Sequence, residues 1–265
     1  MEKIKLGIGA LPGTDRTVLE QLPMIKSIGF EAFFTRWDDQ LDEYRAMAEA
    51  LGLEYTFIHG PNRHTEAMWM DCPEAAEGVR EWMQCLEDCA AHSIPMVVGH
   101  AFKSFRVPPS PTPEGIRNYG QVVQKARELG VRFALENAEG NTCLAALLDA
   151  FAADANVGFC WDTGHALCYS NWTNLADRYG GRLFCTHLHD NLGVRSESGT
   201  LTTADDLHLL PFDGDIPWRE VVCSLKQWNY QGVLMLEVKK KCYPNMTTQA
   251  FLENAYRRAC RLREM

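Results

Sequence analysis

Leu129-Gly130-Val131-Arg132-Phe133-Ala134-Leu135-Glu136 is the stretch on which the fold turns. Gly130 stands where a helix stops, because glycine readily takes the left-handed conformation that ends one. The short, largely apolar run after it reads as a buried strand, and that run ends on a carboxylate. Upstream, Pro113 and Glu114 open the helix behind a proline-rich loop, Val107 to Pro113, since proline fits a first helical turn. Between these marks Ile116, Tyr119, Val123 and Ala126 recur every three or four residues, the spacing of one helical face.

The same unit repeats in both directions. Strands are predicted at Lys5 to Ile8, Ala32 to Thr35, Tyr55 to His59, Met96 to Gly99, Arg132 to Glu136, Val157 to Asp162, Leu183 to Leu188 and Val233 to Val238. Helical faces lie between and after them, as in Val79, Trp82, Leu86 and Cys89, or Leu252, Ala255, Ala259 and Leu262. Strands separated by helices pair in parallel, and their unbroken apolar character means burial on both faces. Eight such units close into a single (β/α)8 barrel, and no linker or low-complexity tract divides residues 1–265 into more than one domain. The alternative is an open doubly wound sheet. Against it, Gly7-Ile8-Gly9-Ala10-Leu11-Pro12-Gly13 follows the first strand, and Pro12 and Gly13 interrupt the helix start that dinucleotide binding requires.

With 46% apolar and 23% charged residues, the 265-residue chain has the composition of a globular protein, which excludes disorder as its main theme. No run of about 18 apolar residues spans a bilayer, and Met1 to Ala10 lacks the pattern of a secretory leader, so the expected location is cytoplasmic and no membrane partner is expected. The formal charge of -9 gives no global attraction to nucleic acid. Assembly into a homo-oligomer is compatible with the sequence. The ten cysteines are scattered without a C-x-x-C pair and are read as reduced thiols; Cys85, Cys89, Cys160 and Cys185 sit in apolar segments as small hydrophobes.

Six successive strands pass directly into a side chain able to bind a metal: Ile58-His59, Gly99-His100, Leu135-Glu136, Trp161-Asp162, Thr186-His187 and Leu236-Glu237. In a barrel these positions line one mouth, where active sites are built. His165, Asp206 and His208 follow in the loops beyond. Imidazole with carboxylate suits zinc, manganese or cobalt, whereas an all-oxygen set would suit magnesium or calcium. Each residue taken singly has an ordinary explanation, such as a hydrogen-bonded histidine, a glutamate paired with arginine, or a solvated loop charge. Three carboxylates buried around one mouth without a cation would cost several kcal/mol per unpaired charge, so Glu136, Asp162, His187 and Glu237 are read as a metal site. His59, His100, Asp206 and His208 are candidates for further ligation or for substrate.

These segments resemble the xylose-isomerase-like TIM barrels, a family of sugar and sugar-phosphate isomerases and epimerases with the endonuclease IV repair enzymes as distant members. The resemblance is carried by Phe57-Ile58-His59-Gly60-Pro61, Ala134-Leu135-Glu136-Asn137, Trp161-Asp162-Thr163-Gly164-His165, His187-Leu188-His189-Asp190-Asn191, Phe212-Asp213-Gly214-Asp215-Ile216-Pro217-Trp218 and Leu236-Glu237-Val238. It implies a divalent metal on Glu136, Asp162, His187 and Glu237, with His165 near the substrate. It also implies His187 rather than His189 as the ligand, although both point to the same side of the strand. The nuclease branch would place a trinuclear zinc site on His59, His100, Glu136, Asp162, His165, His187, Asp206, His208 and Glu237. That branch, however, carries an aromatic wedge where this chain has Asn62, and the chain has no basic stripe, so DNA cleavage ranks second.

The activity implied is proton abstraction next to a sugar carbonyl through an enediolate, with the metal as Lewis acid and Glu136 and Glu237 as the acid-base pair. His165 would bond a substrate hydroxyl or carry a proton. The partner is a sugar, sugar phosphate or inosose. Trp37, Trp69 and Trp161 offer stacking faces for it or serve as barrel packing. Arg195 and Lys239, Lys240 and Lys241 offer cations for a phosphate or carboxylate or are solvated loop charges. A barrel that binds metal and sugar without turnover is the third reading.

Overall fold

The computed structural model describes residues 4–104, 108–170, 175–195, 197 and 199–265; Met1 to Lys3 of the N-terminal reading and Val107 of the proline-rich loop lie outside them. The strands are β1 (Leu6–Gly9), β2 (Ala32–Arg36), β3 (Glu54–His59), β4 (Met96–His100), β5 (Arg132–Glu136), β6 (Val157–Asp162), β7 (Leu183–His187) and β8 (Leu234–Leu236). They alternate with helices α1 (Val18–Ile28), α2 (Leu41–Leu51), α3 (Pro73–Ala91), α4 (Pro113–Leu129), α5 (Asn141–Ala150), α6 (Thr163–Ser170), α7 (Leu175–Tyr179), α8 (Trp218–Gln227) and α9 (Thr248–Glu264).

Neighbouring strands pair in parallel in the order β7-β6-β5-β4-β3-β2-β1-β8. The ring closes where Leu188 bridges to Leu236, with the Leu188 N–H donating to the Met235 carbonyl at 2.8 Å. This is the expected (β/α)8 barrel. Its helices begin and end on the marks the sequence carries: the Thr112 hydroxyl accepts from the Gly115 N–H at 3.0 Å to cap α4, and Gly130 ends it at φ +67°. The ends of β1, β2, β3, β4 and β7 move by one residue, and the last strand differs most. β8 is shorter than the predicted Val233 to Val238 and stops at Leu236, so Glu237 stands just beyond the ladder, where its N–H still donates to Leu188 O at 3.2 Å.

The barrel interior is an apolar plug that includes Phe57, Val98, Ala134, Cys160, Cys185 and Met235. Alternate residues such as Ile58, Val97, Leu135, Trp161 and Leu236 point the other way, into the layer between sheet and helices. Side chains along a strand alternate with a period of two. Each of the six interior residues therefore places the residue two further on, His59, His100, Glu136, Asp162, His187 or Glu237, above the plug and inside the mouth. Among the described residues no helix is long and apolar enough to cross a membrane.

Candidate metal centre

Glu136 is the meeting point. Its Oε2 lies 3.3 Å from His59 Nε2, 3.3 Å from His100 Nε2 and 3.2 Å from His187 Nδ1. His187 Nδ1 in turn lies 3.3 Å from Glu237 Oε2 and 3.9 Å from Asp162 Oδ2. Glu136, Asp162, His187 and Glu237 offer ligand atoms all within 4.8 Å of one another; so do His59, His100 and Glu136, and so do His165, His189, Asp206 and His208. The predicted quartet is thus one group, and the four further candidates fall into the two groups flanking it.

Four imidazoles are aimed by the same device. His59 Nδ1 donates to Gly60 O at 3.1 Å, His100 Nδ1 to Asn62 Oδ1 at 2.8 Å, His165 Nδ1 to Asn137 O at 3.0 Å and His208 Nδ1 to Glu237 O at 2.8 Å. A carbonyl oxygen can only accept, so each ring keeps a proton on Nδ1 and turns Nε2 inward, the orientation that metal-ligating histidines use. The Nε2 atoms of His165 and His208 face Asp206 Oδ1, at 3.3 and 3.0 Å. On His165 burial disfavours charge, but Asp162, Asp206 and Glu136 outweigh it and hold the ring charged, so an ion at that nitrogen would have to displace a proton. His187 is held by stacking instead, with Phe34 beneath it at 5.0 Å between ring centres.

The positions of His187 and His189 separate them. His189 donates from Nε2 to Asp162 Oδ1 at 2.9 Å and so orients a carboxylate of the quartet. Its ring lies over position 164, where any Cβ would overlap it, which explains the glycine in Asp162-Thr163-Gly164-His165.

The electrostatics and the unmet hydrogen bonds both fit a cation. Burial favours the neutral form of Glu136, but His100 and His187 beside it hold its carboxyl well below the ordinary range. Burial likewise disfavours charge on His187, yet the carboxylates of Glu136, Glu237 and Asp162 outweigh it and lift its pKa to about 10, so that a proton takes the cation's place. Burial pushes His100 and His208 down to about 4. Both carboxylate oxygens of Glu136, both ring nitrogens of His187, His100 Nε2, His165 Nε2 and Asp206 Oδ1 are buried without a well-formed hydrogen bond. Each such atom costs roughly 1–3 kcal/mol, a cost that ligation would offset. The nitrogen and carboxylate donors suit zinc, manganese or cobalt.

Asp206 and His208 lie on the connection from β7 to α8, which Asp190 organises. The Asp190 carboxylate accepts from the N–H groups of Asn191 at 2.9 Å, Phe212 at 2.7 Å and Ile216 at 3.0 Å, and from Trp218 Nε1 at 2.8 Å. His208 itself sits at φ +52°, in the left-handed region. A non-glycine residue is held there at a cost of order 1–3 kcal/mol, a strain often found at functional positions.

The aromatic and basic expectations are corrected in part. Trp161 faces outward, because its neighbour Asp162 faces inward, and packs edge-on against Trp228 at 5.2 Å; it offers no sugar platform in the mouth. Trp69 is buried and donates to Ala101 O at 2.7 Å. Trp37 donates to Asp88 of α3 at 2.8 Å and borders a separate cleft with Arg16 and Arg36, which none of the metal-competent residues lines. Arg195 is exposed, with its guanidinium on Ala204 O at 3.4 Å. Lys240 pairs with Asp15 at 3.9 Å, whereas Lys239 reaches Asp206. Lys103 was missed by the sequence reading. It approaches the same carboxylate, and no local pattern marks it.

The fold and this mouth define a (β/α)8 protein with a metal-competent centre at the carboxyl ends of its strands. The family model for the xylose isomerase-like TIM barrel matches residues 22–262, and the chain belongs to that family. An uncharacterized Sinorhizobium fredii protein, y4fM, is 32% identical over 155 residues, a match spanning 56% of this chain and 46% of that protein. Among solved structures, the IolI protein with a bound zinc atom superposes with a TM-score of 0.76 at 18% identity, covering 98% of both chains. D-allulose 3-epimerase from Methylomonas sp. in complex with D-allulose superposes with a TM-score of 0.73 at 14% identity, covering 99% of this chain and 96% of that one.

Proposed function

We propose that the protein is a divalent-metal-dependent isomerase or epimerase of a ketose or related polyhydroxy ketone. One observation carries this: Glu136 and Glu237, from β5 and the end of β8, both stand within 3.3 Å of a single atom, His187 Nδ1. Two carboxylates thereby approach one point from different strands, as removal and return of a proton beside a carbonyl require. A bound divalent ion supplies Lewis-acid stabilisation of the negative charge that develops on the substrate oxygens. Glu136 and Glu237 take and return the carbon-bound proton. His189 keeps Asp162 oriented, and His165, its Nδ1 proton committed to Asn137 O, offers Nε2 to a substrate hydroxyl. The family and the likeness to an epimerase that binds D-allulose support the sugar reading.

A second reading, metal-dependent cleavage of a phosphodiester at abasic DNA, is favoured by the adjacent ligand groups that meet at Glu136. Against it stand the charge of -9 and Asn62, which is engaged with His100. The deciding experiment incubates the manganese- or zinc-loaded protein with ketoses, their phosphates and inososes in deuterated water and follows the proton beside the carbonyl by NMR. Deuterium uptake is expected. Metal-dependent incision of abasic duplex without uptake into any ketone would reverse the order of the two readings. Binding without uptake would leave a non-catalytic barrel.

A further inference from the structure

Beneath the quartet stands a donor of another kind. Cys160 lies on β6 two residues before Asp162, so it shares the inward face of that strand one layer lower, in the apolar plug. Its register partner on β5 is Glu136, and on β7 it is Cys185. Register partners on parallel strands project side by side, which sets the Cys160 thiol beside the Glu136 carboxylate. Donor atoms of Glu136, Cys160 and His187 all lie within 4.8 Å of one another, and all three residues are buried. Among the described residues, Cys160 is the one cysteine that joins such a group.

A buried cysteine ordinarily serves as a small hydrophobe. Cys85 and Cys89 do so between sheet and helices, and neither joins a metal-competent group. Cys160 differs in its company. Both carboxylate oxygens of Glu136 and both ring nitrogens of His187 are buried without a well-formed hydrogen bond. His59, His100 and His165 face Glu136 from the mouth, whereas Cys160 meets it from within the plug. The thiol's own polar neighbour is Cys185, and a thiol is both a weak donor and a weak acceptor, so no strong bond holds Cys160 elsewhere. Sulfur, nitrogen and oxygen donors thus surround one buried point. Thiolate favours soft ions such as cadmium, while carboxylates suit manganese.

We infer that Glu136, Cys160 and His187 form a second, sulfur-containing site for a thiophilic divalent ion, one layer below the quartet. As the ion binds, the Cys160 S–H bond breaks, its proton leaves to solvent and a sulfur–metal bond forms. Three protein ligands leave one tetrahedral position open. The two sites share Glu136 and His187, so an ion held at the thiol withdraws two ligands from the quartet and stands deeper than Asp162 and Glu237. The inference rests on the metal reading of the mouth for those shared residues, and it makes an ion as soft as cadmium an inhibitor of the proposed reaction instead of its cofactor.

The test adds cadmium chloride to the full-length protein, reduced with a phosphine so that no added thiol competes, and records ultraviolet difference absorption. A thiolate-to-cadmium charge-transfer band is expected, complete at about one equivalent. In protein first loaded with manganese the band should grow only as manganese is released, ion for ion, with free manganese read by electron paramagnetic resonance. In Cys160→Ala and Cys160→Ser the band should vanish. Cadmium affinity should fall at least about tenfold, since losing a ligand costs no less than losing a residue that orients one. Manganese affinity should be unchanged, whereas a loss of packing alone would weaken both ions alike. The inference is overturned if cadmium binds without the band, if the band survives in both variants, if it reaches full height with manganese retained, or if the two affinities fall together. In each case manganese still binds the parent protein, so the metal reading stands; if neither ion binds the parent protein, both fall. Where the variants do not fold, manganese displacement in the parent protein decides alone.

Discussion

The mouth is built in two ways. Glu136, Asp162 and His187 are the last residues of their strands, locked by the parallel ladder, in which His100 pairs with Glu136 and Asp162 with His187. Asp206 and His208, on the far side, belong to no strand; they hang on a connection tied to the buried carboxylate of Asp190 and need a left-handed backbone at His208. The strand side obtains its geometry from the barrel itself. The loop side needs a dedicated hydrogen-bond hub and stored strain, so it can be lost while the barrel survives.

The largest expected effect tests the strand side. Glu136→Gln or Glu237→Gln keeps an oxygen donor but removes the charge and the exchangeable proton, so turnover should fall by roughly 10²- to 10⁴-fold with metal still measurable. Near-full turnover at saturating metal in either variant would remove that carboxylate from proton transfer and leave His165 as the better candidate. Next comes the hub. Asp190→Asn turns an amide toward N–H groups that now donate to a carboxylate, which should cost about 3 kcal/mol in denaturant unfolding. Any metal that Asp206 and His208 bind should be lost before metal on the quartet, as elemental analysis of partly chelated samples would record. Equal loss from both sides would break the comparison.

The smallest effect is in pH. The raised pKa of His187, about 10, means that its proton stabilises the ion-free fold fully below the ordinary histidine value, and that this contribution fades as pH rises through 10. An ion must displace that proton, so apparent affinity at the quartet should rise about tenfold per pH unit for each proton released. The increase in unfolding temperature on adding manganese is therefore expected to grow from pH 6 to pH 8. His208, already neutral with its pKa pushed down to about 4, adds nothing to this slope. An increment independent of pH would show that His187 is not a ligand.

Legibility in the sequence follows the same division. Strand periodicity is local, so eight strands and six residues at their ends are visible in the chain, and the two-residue alternation explains why those six converge. The same alternation forbids Trp161 and Asp162 from sharing a face, so an inward Asp162 by itself turns Trp161 outward. Asp190 as a hub, His189 as the partner of Asp162, and Lys103 opposite Lys239 depend on contacts between distant loops, for which a linear pattern carries no signal.

The aromatic floor has a consequence for traffic. Phe34 and Phe57 stack at 4.6 Å beneath His187 and, with Met96, Val98 and Met235, fill the barrel below it. With that layer packed by side chains, ions, protons and ligand share one doorway. A ligand seated over the quartet stands between the ion and any chelator, and the rate of metal stripping then reports on how long the ligand stays.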